Sequence, residues 1–291
     1  MDPRAAAATD PRTVDTLDKT AELDRLTAGT DAGALWDAVG RARTALDFRD
    51  ADAVLGLPPV DGPTVRQLAD RVERAVARAV ELRLPAALVD RAETLYFGPA
   101  AADPAAAAEA AAEAFACAEA AGELPRAAYL LGLFHGAGYG CAVDEARSRA
   151  WHESAARAGD ADAMFELYVL CTTGVGGPAD PAAGVDWCHR AAEAGSVRAM
   201  ANLGGFYATG NGVPADLPTS LRWYRLAAES GHGRAAAVLG VMTAAGEGEQ
   251  PPAEAGRWLE LADELGFDWR PMARAYGLDL EPDLDLDLDR D

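Results

Sequence analysis

Residues Ala199–Arg234 read AMANLGGFYATGNGVPADLPTSLRWYRLAAESGHGR. Two short helix-forming stretches flank a glycine-rich turn. The preceding 36 residues, Ala163–Arg198, follow the same pattern (AMFELYVLCTTGVGGPADPAAGVDWCHRAAEAGSVR). So do Ala127–Asp162 upstream and Ala235–Arg270 downstream. Trp151, Trp187 and Trp223 fall in register, as do Gly138, Gly174, Gly210 and Gly246. A fixed period of this length marks a solenoid, in which each unit buries its apolar face on its neighbours. The predicted fold is all-α, a stack of helical hairpins.

Each position in the repeat has a physical role. Leu131, Leu167, Leu203 and Leu239 form a core position on the first helix. The next residue is Gly132, Gly204 or Gly240, which lets helices approach closely, whereas Tyr168 breaks the pattern. The glycine pairs 138/140, 174/176, 210/212 and 246/248 suit a tight left-handed turn. Asp144, Asp180 and Asp216 sit where the second helix needs an N-cap. Trp151, Trp187, Trp223 and a Trp258 shifted by one residue are expected to bury large area. Alanine pairs follow, and Gly159, Gly195, Gly231 and Gly266 close the second helix.

The run Leu-Gly-x-Phe-Tyr-x-x-Gly-x-Gly-Val at 203–213, followed by Asp216, Trp223-Tyr224 and Ala227-Ala228 with Gly231, resembles a Sel1-like repeat, a relative of the tetratricopeptide repeats. The resemblance is strong over 127–266 and weakens upstream to about 91. It implies a right-handed superhelical α-solenoid of Sel1-like, tetratricopeptide-like hairpins whose first helices line a concave, ligand-holding face. Departures stand at His135, Cys171 and Thr243, and no Asp caps the second helix near Pro252.

The organisation expected from this is a flexible N-terminal arm over 1–28 and a helical extension or cap over 29–90. The solenoid then covers 91–277, with clear repeats at 127–162, 163–198, 199–234 and 235–270 and a degenerate one at 91–126. An acidic disordered tail, 278–291, ends it. Val54–Pro63 (VLGLPPVDGP) reads as a breaker-rich loop. Thr64 opens a helix to about Arg83, Pro85 another to Gly98, and Asp103-Pro104 an alanine-rich one to Gly122.

The formal net charge is −21, with a pI near 4.5. Such a charge repels phosphate backbones and anionic lipid, so no nucleic acid and no membrane are expected as partners. Lys19 is the sole lysine, which excludes a Schiff-base centre, a P-loop and a Ser-x-x-Lys hydrolase. The four cysteines form no CxxC. With no apolar leader or spanning run, a cytoplasmic location is expected.

Few residues point to chemistry. His152 and Cys188 hold equivalent repeat positions, about 8–10 Å apart by helix packing, too far to share a zinc ion. Asp283, Asp285 and Asp287 alternate like a calcium loop, but Leu288 replaces the glycine and the closing Glu is missing. Thr64–Val72 starts like a helix-turn-helix, yet the helix continues without a turn. No nucleophile elbow is present. Neither a metal nor a cofactor is expected, and the protein reads as non-catalytic. Some secreted relatives staple repeats with cysteine pairs and are linked to β-lactams. A β-lactam-binding or hydrolysing enzyme is therefore the alternative, against which the missing cysteine pairs count. Self-assembly into a homo-oligomer is a third reading.

The expected partner is a protein or peptide segment. Helical spacing collects Arg126, Tyr129 and Leu133, then Asp162, Phe165 and Val169, on one face. Arg198, Ala201 and Gly205, then Arg234, Ala237 and Val241, and finally Arg270 and Ala273 continue it. Candidate partner-binding residues are Arg126, Tyr129, Leu133, Phe165, Val169, Arg198, Arg234 and Arg270. The arginines suit bidentate clamping of carboxylates, and the bulky side chains suit apolar anchoring. The competing reading is that these arginines merely bridge to carboxylates of neighbouring helices.

Overall fold

The computed structural model describes residues 11–54, 62–99, 103–247, 254–278 and 280. No strand occurs among them, and no helix among them is long and apolar enough to cross a membrane. The chain divides into two compact units, 1–143 and 144–291.

In the first unit α1 (Pro11–Thr27), α2 (Ala32–Val54) and α3 (Gly62–Glu81) pack on one another. The stripe Leu68, Val72, Ala75 and Ala79 of α3 meets Leu23 of α1 and Leu35, Val39 and Ala42 of α2. This corrects the arm expected over 1–28. Residues 1–10 lie outside the described residues, but 11–27 are helical. Leu23 and Leu26, one turn apart, give α1 an apolar edge that its Asp- and Thr-rich composition hides. Asp24 pairs with Arg71 at 2.8 Å and Glu22 with Arg41 at 2.7 Å, holding α1 to α3 and α2. The breaker-rich loop falls largely on 55–61, outside the described residues.

Next come α4 (Pro85–Phe97), α5 (Pro104–Ala121) and α6 (Pro125–Ala137). Each opens with proline, where the missing N–H is no loss. The Asp103 carboxylate accepts from the N–H groups of Ala105 and Ala106, at 3.0 and 2.9 Å. Tyr96, Phe134 and Tyr139 form an aromatic cluster with centroids 5.0–5.3 Å apart. The Tyr139 hydroxyl donates to the Leu95 carbonyl at 2.8 Å, which fastens the end of α4 to the turn after α6.

The second unit runs through α7 (Glu145–Arg157), α8 (Ala161–Thr173), α9 (Pro181–Glu193) and α10 (Val197–Thr209). It continues with α11 (Leu217–Glu229), α12 (Gly233–Ala244), α13 (Ala255–Glu264) and the short α14 (Arg270–Ala275). Hairpins α8–α9, α10–α11 and α12–α13 follow in sequence, each packed on the next helix along. The three expected caps form: Asp144, Asp180 and Asp216 accept from the N–H groups of Arg147, Ala183 and Thr219. Their ladder of small residues lets helices close up, since Ala155, Ala163, Ala191, Ala199, Ala227 and Ala235 are all buried.

The tryptophans differ from expectation. Trp151, Trp187 and Trp223 are half-buried, and Arg190 lies over the Trp187 ring at 3.9 Å. Trp258 is 1% exposed. Its one-residue shift turns it roughly 100° around the helix, from the edge of the hairpin into the core with Leu239, Leu259 and Trp269. The tail expected over 278–291 differs at its start, where Leu278 and Leu280 pack against this core. Residues 281–291, with the Asp283–Asp287 alternation, lie outside the described residues.

His152 is buried in α7 at 2% exposure. Desolvation pushes its pKa down to about 4, below the ordinary histidine range near 6.5. The unfolded chain therefore takes up the proton first as pH falls. Stability from this group is complete above about pH 6.5 and is lost between there and about pH 4. The total loss is about 3 kcal/mol. His152→Cys, which copies the next repeat, should remove that slope while the carboxylate contribution stays. Urea midpoints of the two proteins at neutral pH and near pH 4.5 measure the difference; parallel curves refute it.

Candidate functional site

The row of first-helix residues falls inside the first turn of each helix. Arg126, Asp162, Arg198 and Arg234 are second residues of α6, α8, α10 and α12, and Arg270 opens α14. Cations are disfavoured there by the helix dipole, so each needs another source of stability. Three have one.

In the first unit, Arg126 pairs with Glu93 of α4 and lies over the Tyr129 ring at 4.5 Å. Tyr129 is buried beneath it, and Leu133 is half-buried. In the second unit, Arg198 reaches Glu166 at 3.1 Å and Asp162 at 3.6 Å, with its guanidinium 4.3 Å above the Phe165 ring. Arg270 turns back to its own side of the chain. It holds both Asp263 oxygens, at 2.9 and 3.1 Å, reaches Asp268 and covers Trp269. The Arg270 guanidinium holds the Asp263 carboxyl below the usual carboxylate range, and the Trp269 N–H adds to that. Exposed pairs of this kind are screened by solvent and add little to stability.

Arg234 is different. It is exposed and has no ion pair among the described residues. The carboxylates serving Arg198 stand 32 and 36 residues upstream of it, at Glu166 and Asp162. The same offsets from Arg234 reach Asn202 and Arg198. The repeat thus carries its arginine forward without the partner.

The apolar part of the sequence-read face is largely inside the protein. Phe165 is 9% exposed, while Ala237 and Val241 are fully buried. Val169, Ala201, Gly205 and Val238 are half-buried and line the open part. The surface that survives on the second unit runs from Asp162 and Glu166, past Arg198 and Asn202, to Arg234. It grades from acidic to basic.

Two clefts escaped the sequence reading. In the first unit, a 610 Å³ cleft lies between α3 and α4–α5, with Val72, Val76 and Val80 on one wall. Bidentate pairs Arg43–Asp90 (2.6 and 2.9 Å) and Arg91–Glu113 (2.8 and 3.1 Å) sit on its rim. In the second unit a 360 Å³ pocket is formed by α8, α9, α10 and the turn after α10, with Tyr168 and Phe206 in its lining. Its sequence signal was Tyr168, the one departure from glycine at that position among the four clear repeats.

The thiols offer little chemistry. All four cysteines are free. Burial pushes the Cys188 thiol up to about 12 and raises those of Cys117 and Cys171, so at neutral pH these three are poor nucleophiles. Among the described residues, no three His, Cys, Asp or Glu side chains are grouped to hold a metal ion.

A family model for the Sel1 repeat matches residues 125–160, 161–196 and 197–232. These units start with the first helices, two residues before the repeats read from the sequence. Among solved structures, a Sel1 repeat protein from Oxalobacter formigenes is 29% identical with a TM-score of 0.56, covering 69% of this chain and 94% of its own. A protective antigen of uropathogenic Escherichia coli strains, displaying an SLR fold, is 22% identical with a TM-score of 0.54. That match covers 85% of this chain and 56% of the other and is a likeness of fold. A search of the curated proteins finds no match. The chain therefore carries three matches to the Sel1 repeat, at 125–232, and its described residues are all-helical, with consecutive helical hairpins like those of the Sel1 repeat structure.

Proposed function

We propose that this protein is a non-catalytic interaction scaffold that holds a segment of a partner protein along the first-helix face of its second unit. The observation that carries this is Arg234, an exposed guanidinium with no counter-charge among the described residues, in a chain of net charge −21. A carboxylate of the partner would complete it, and the half-buried Ala201, Gly205 and Val238 leave room for backbone to approach. Arg198, held by Glu166 and Asp162, stiffens the neighbouring edge. The same reading places the protein in the cytoplasm, where its free thiols stay reduced.

A benzophenone side chain placed at Asn202, in the middle of this face, tests the reading. It is expected to form adducts in native lysate that the same group at Arg222, exposed on α11, does not form. Arg234→Glu should weaken those adducts at least about tenfold, the loss of one charged hydrogen-bonded contact, with helical circular dichroism unchanged. Equal capture from position 222, or adducts indifferent to Arg234→Glu, would move the site elsewhere.

A further inference from the structure

We propose that the pocket formed by α8, α9 and α10 takes an arginine side chain from a partner protein. This names part of the partner's chemistry and, for its biological role, rests on the scaffold reading above.

The pocket exists because of an exchange between repeat positions. In the 197–232 repeat, Gly204 sits directly under the Tyr224 ring, and a Cβ there would lie 2.7 Å from it. One repeat earlier the same two positions are Tyr168 and Cys188. The aromatic ring has moved from the second helix to the first. A second exchange goes with it: Gly184 stands where Ser148 and Ser220 stand in the neighbouring repeats, and a Cβ there would lie 2.6 Å from the Thr172 hydroxyl and 3.2 Å from the Tyr168 carbonyl oxygen. Tyr168 thus no longer fills the hairpin. Its ring lies between Phe165 at 5.5 Å and Phe206 at 5.7 Å, half-exposed at the pocket wall.

The rest of the lining is selective. Pro181, Ala182 and Val185 supply apolar wall from the start of α9, and Phe206 is nearly buried at 9% exposure. Polar groups come from Asp186 of α9 and Asn211 of the turn after α10. Among the described residues, no hydrogen bond or ion pair engages the Asp186 carboxylate, the Asn211 side-chain amide group or the Tyr168 hydroxyl. Tyr168 is partly desolvated, which raises its hydroxyl pKa and keeps it neutral.

An aromatic wall beside one free carboxylate matches a guanidinium better than other side chains. Its planar face stacks on the ring, its stem lies on apolar wall, and its edge donates to carboxylate and amide oxygens. An aliphatic guest would leave Asp186 and Asn211 unmatched. An anionic guest would meet a carboxylate and the field of a strongly acidic protein. The volume of 360 Å³ is at the small end for ligand sites, suited to one side chain and not a helix.

The probe is a blocked tripeptide, acetyl-Gly-Arg-Gly-amide, with the citrulline tripeptide as its neutral isostere, titrated into the full ¹⁵N-labelled chain. Saturable millimolar shifts are expected at the amides of Val185, Asp186, Asn211 and Gly212 with the arginine peptide. Citrulline and Asp186→Asn should each weaken binding about tenfold or more. Asp186 is exposed, so its substitution leaves the fold intact; Tyr168→Leu is the second variant and should also weaken binding. Absence of saturable shifts, equal response to citrulline, or unchanged affinity in Asp186→Asn overturns the pocket. Because the peptide is supplied directly, that result is independent of whether position 202 captures a partner.

Discussion

Trp258→Ala is expected to destabilise the second unit by about 3–5 kcal/mol, the range for deleting a fully buried large aromatic. Trp187→Ala is expected to cost about 1–2 kcal/mol, because its ring is only half-buried. The two residues hold nearly the same place in a repeated sequence, so a reading by register alone gives them equal weight. Packing does not. Trp258 lies with Leu239, Leu259 and Trp269 in a core that also receives Leu278 and Leu280. Removing it leaves a cavity at the last hairpin, with no further repeat in the described residues to collapse onto it. Trp187 loses mainly its half-exposed face and the Arg190 stacked at 3.9 Å. Urea unfolding followed by far-UV circular dichroism measures both, with hydrogen exchange in α12 and α13 as a local check. Stability in such arrays is a sum of unit and interface terms, so Trp258→Ala should show as early loss of the last hairpins before the remainder. Equal shifts for the two variants would refute the assignment.

The repeat was legible because its signals are local. A capping carboxylate, a left-handed glycine and an alanine pair each act within a few residues of themselves, so period and hairpin boundaries follow from the sequence. The helical start at Pro11 was hidden because it depends on Leu23 meeting Leu35 and Leu68, a contact between segments far apart in sequence. The arginine row was visible as a row, but its meaning was not. Arg270 finds its carboxylates close by, at Asp263 and Asp268, but for the others the answer lies 32 or more positions away: Glu93 for Arg126, Glu166 for Arg198, and no carboxylate at the matching position for Arg234. Phe165 shows the same limit. Its spacing puts it on the first-helix face, yet the Arg198 guanidinium covers it. The Tyr168 pocket needed two departures to be read together, a glycine replaced by tyrosine and a serine replaced by glycine 16 residues later.

Gly176→Val is expected to destabilise the second unit by about 3–5 kcal/mol, whereas Gly195→Ala should cost about 1–2 kcal/mol. Both glycines have positive φ, 68° and 100°. An L side chain pays backbone strain at either. Only Gly176 also meets an obstacle: an added Cβ would lie 2.3 Å from the Glu145 carbonyl oxygen and 3.2 Å from Arg149 Cβ, whereas the Gly195 position has open space. The turn after α8 therefore rests directly on the backbone of α7, and any side chain there must lift it. Lifting it displaces Asp180 and the start of α9, which carries Pro181, Val185 and Asp186 of the pocket. Gly176→Val should thus lose arginine-peptide affinity as well as stability, while Gly195→Ala should lose stability alone. Urea midpoints and the tripeptide titration on the same two variants separate these effects. Equal midpoints would mean that strain dominates and the close approach is relieved elsewhere in the hairpin.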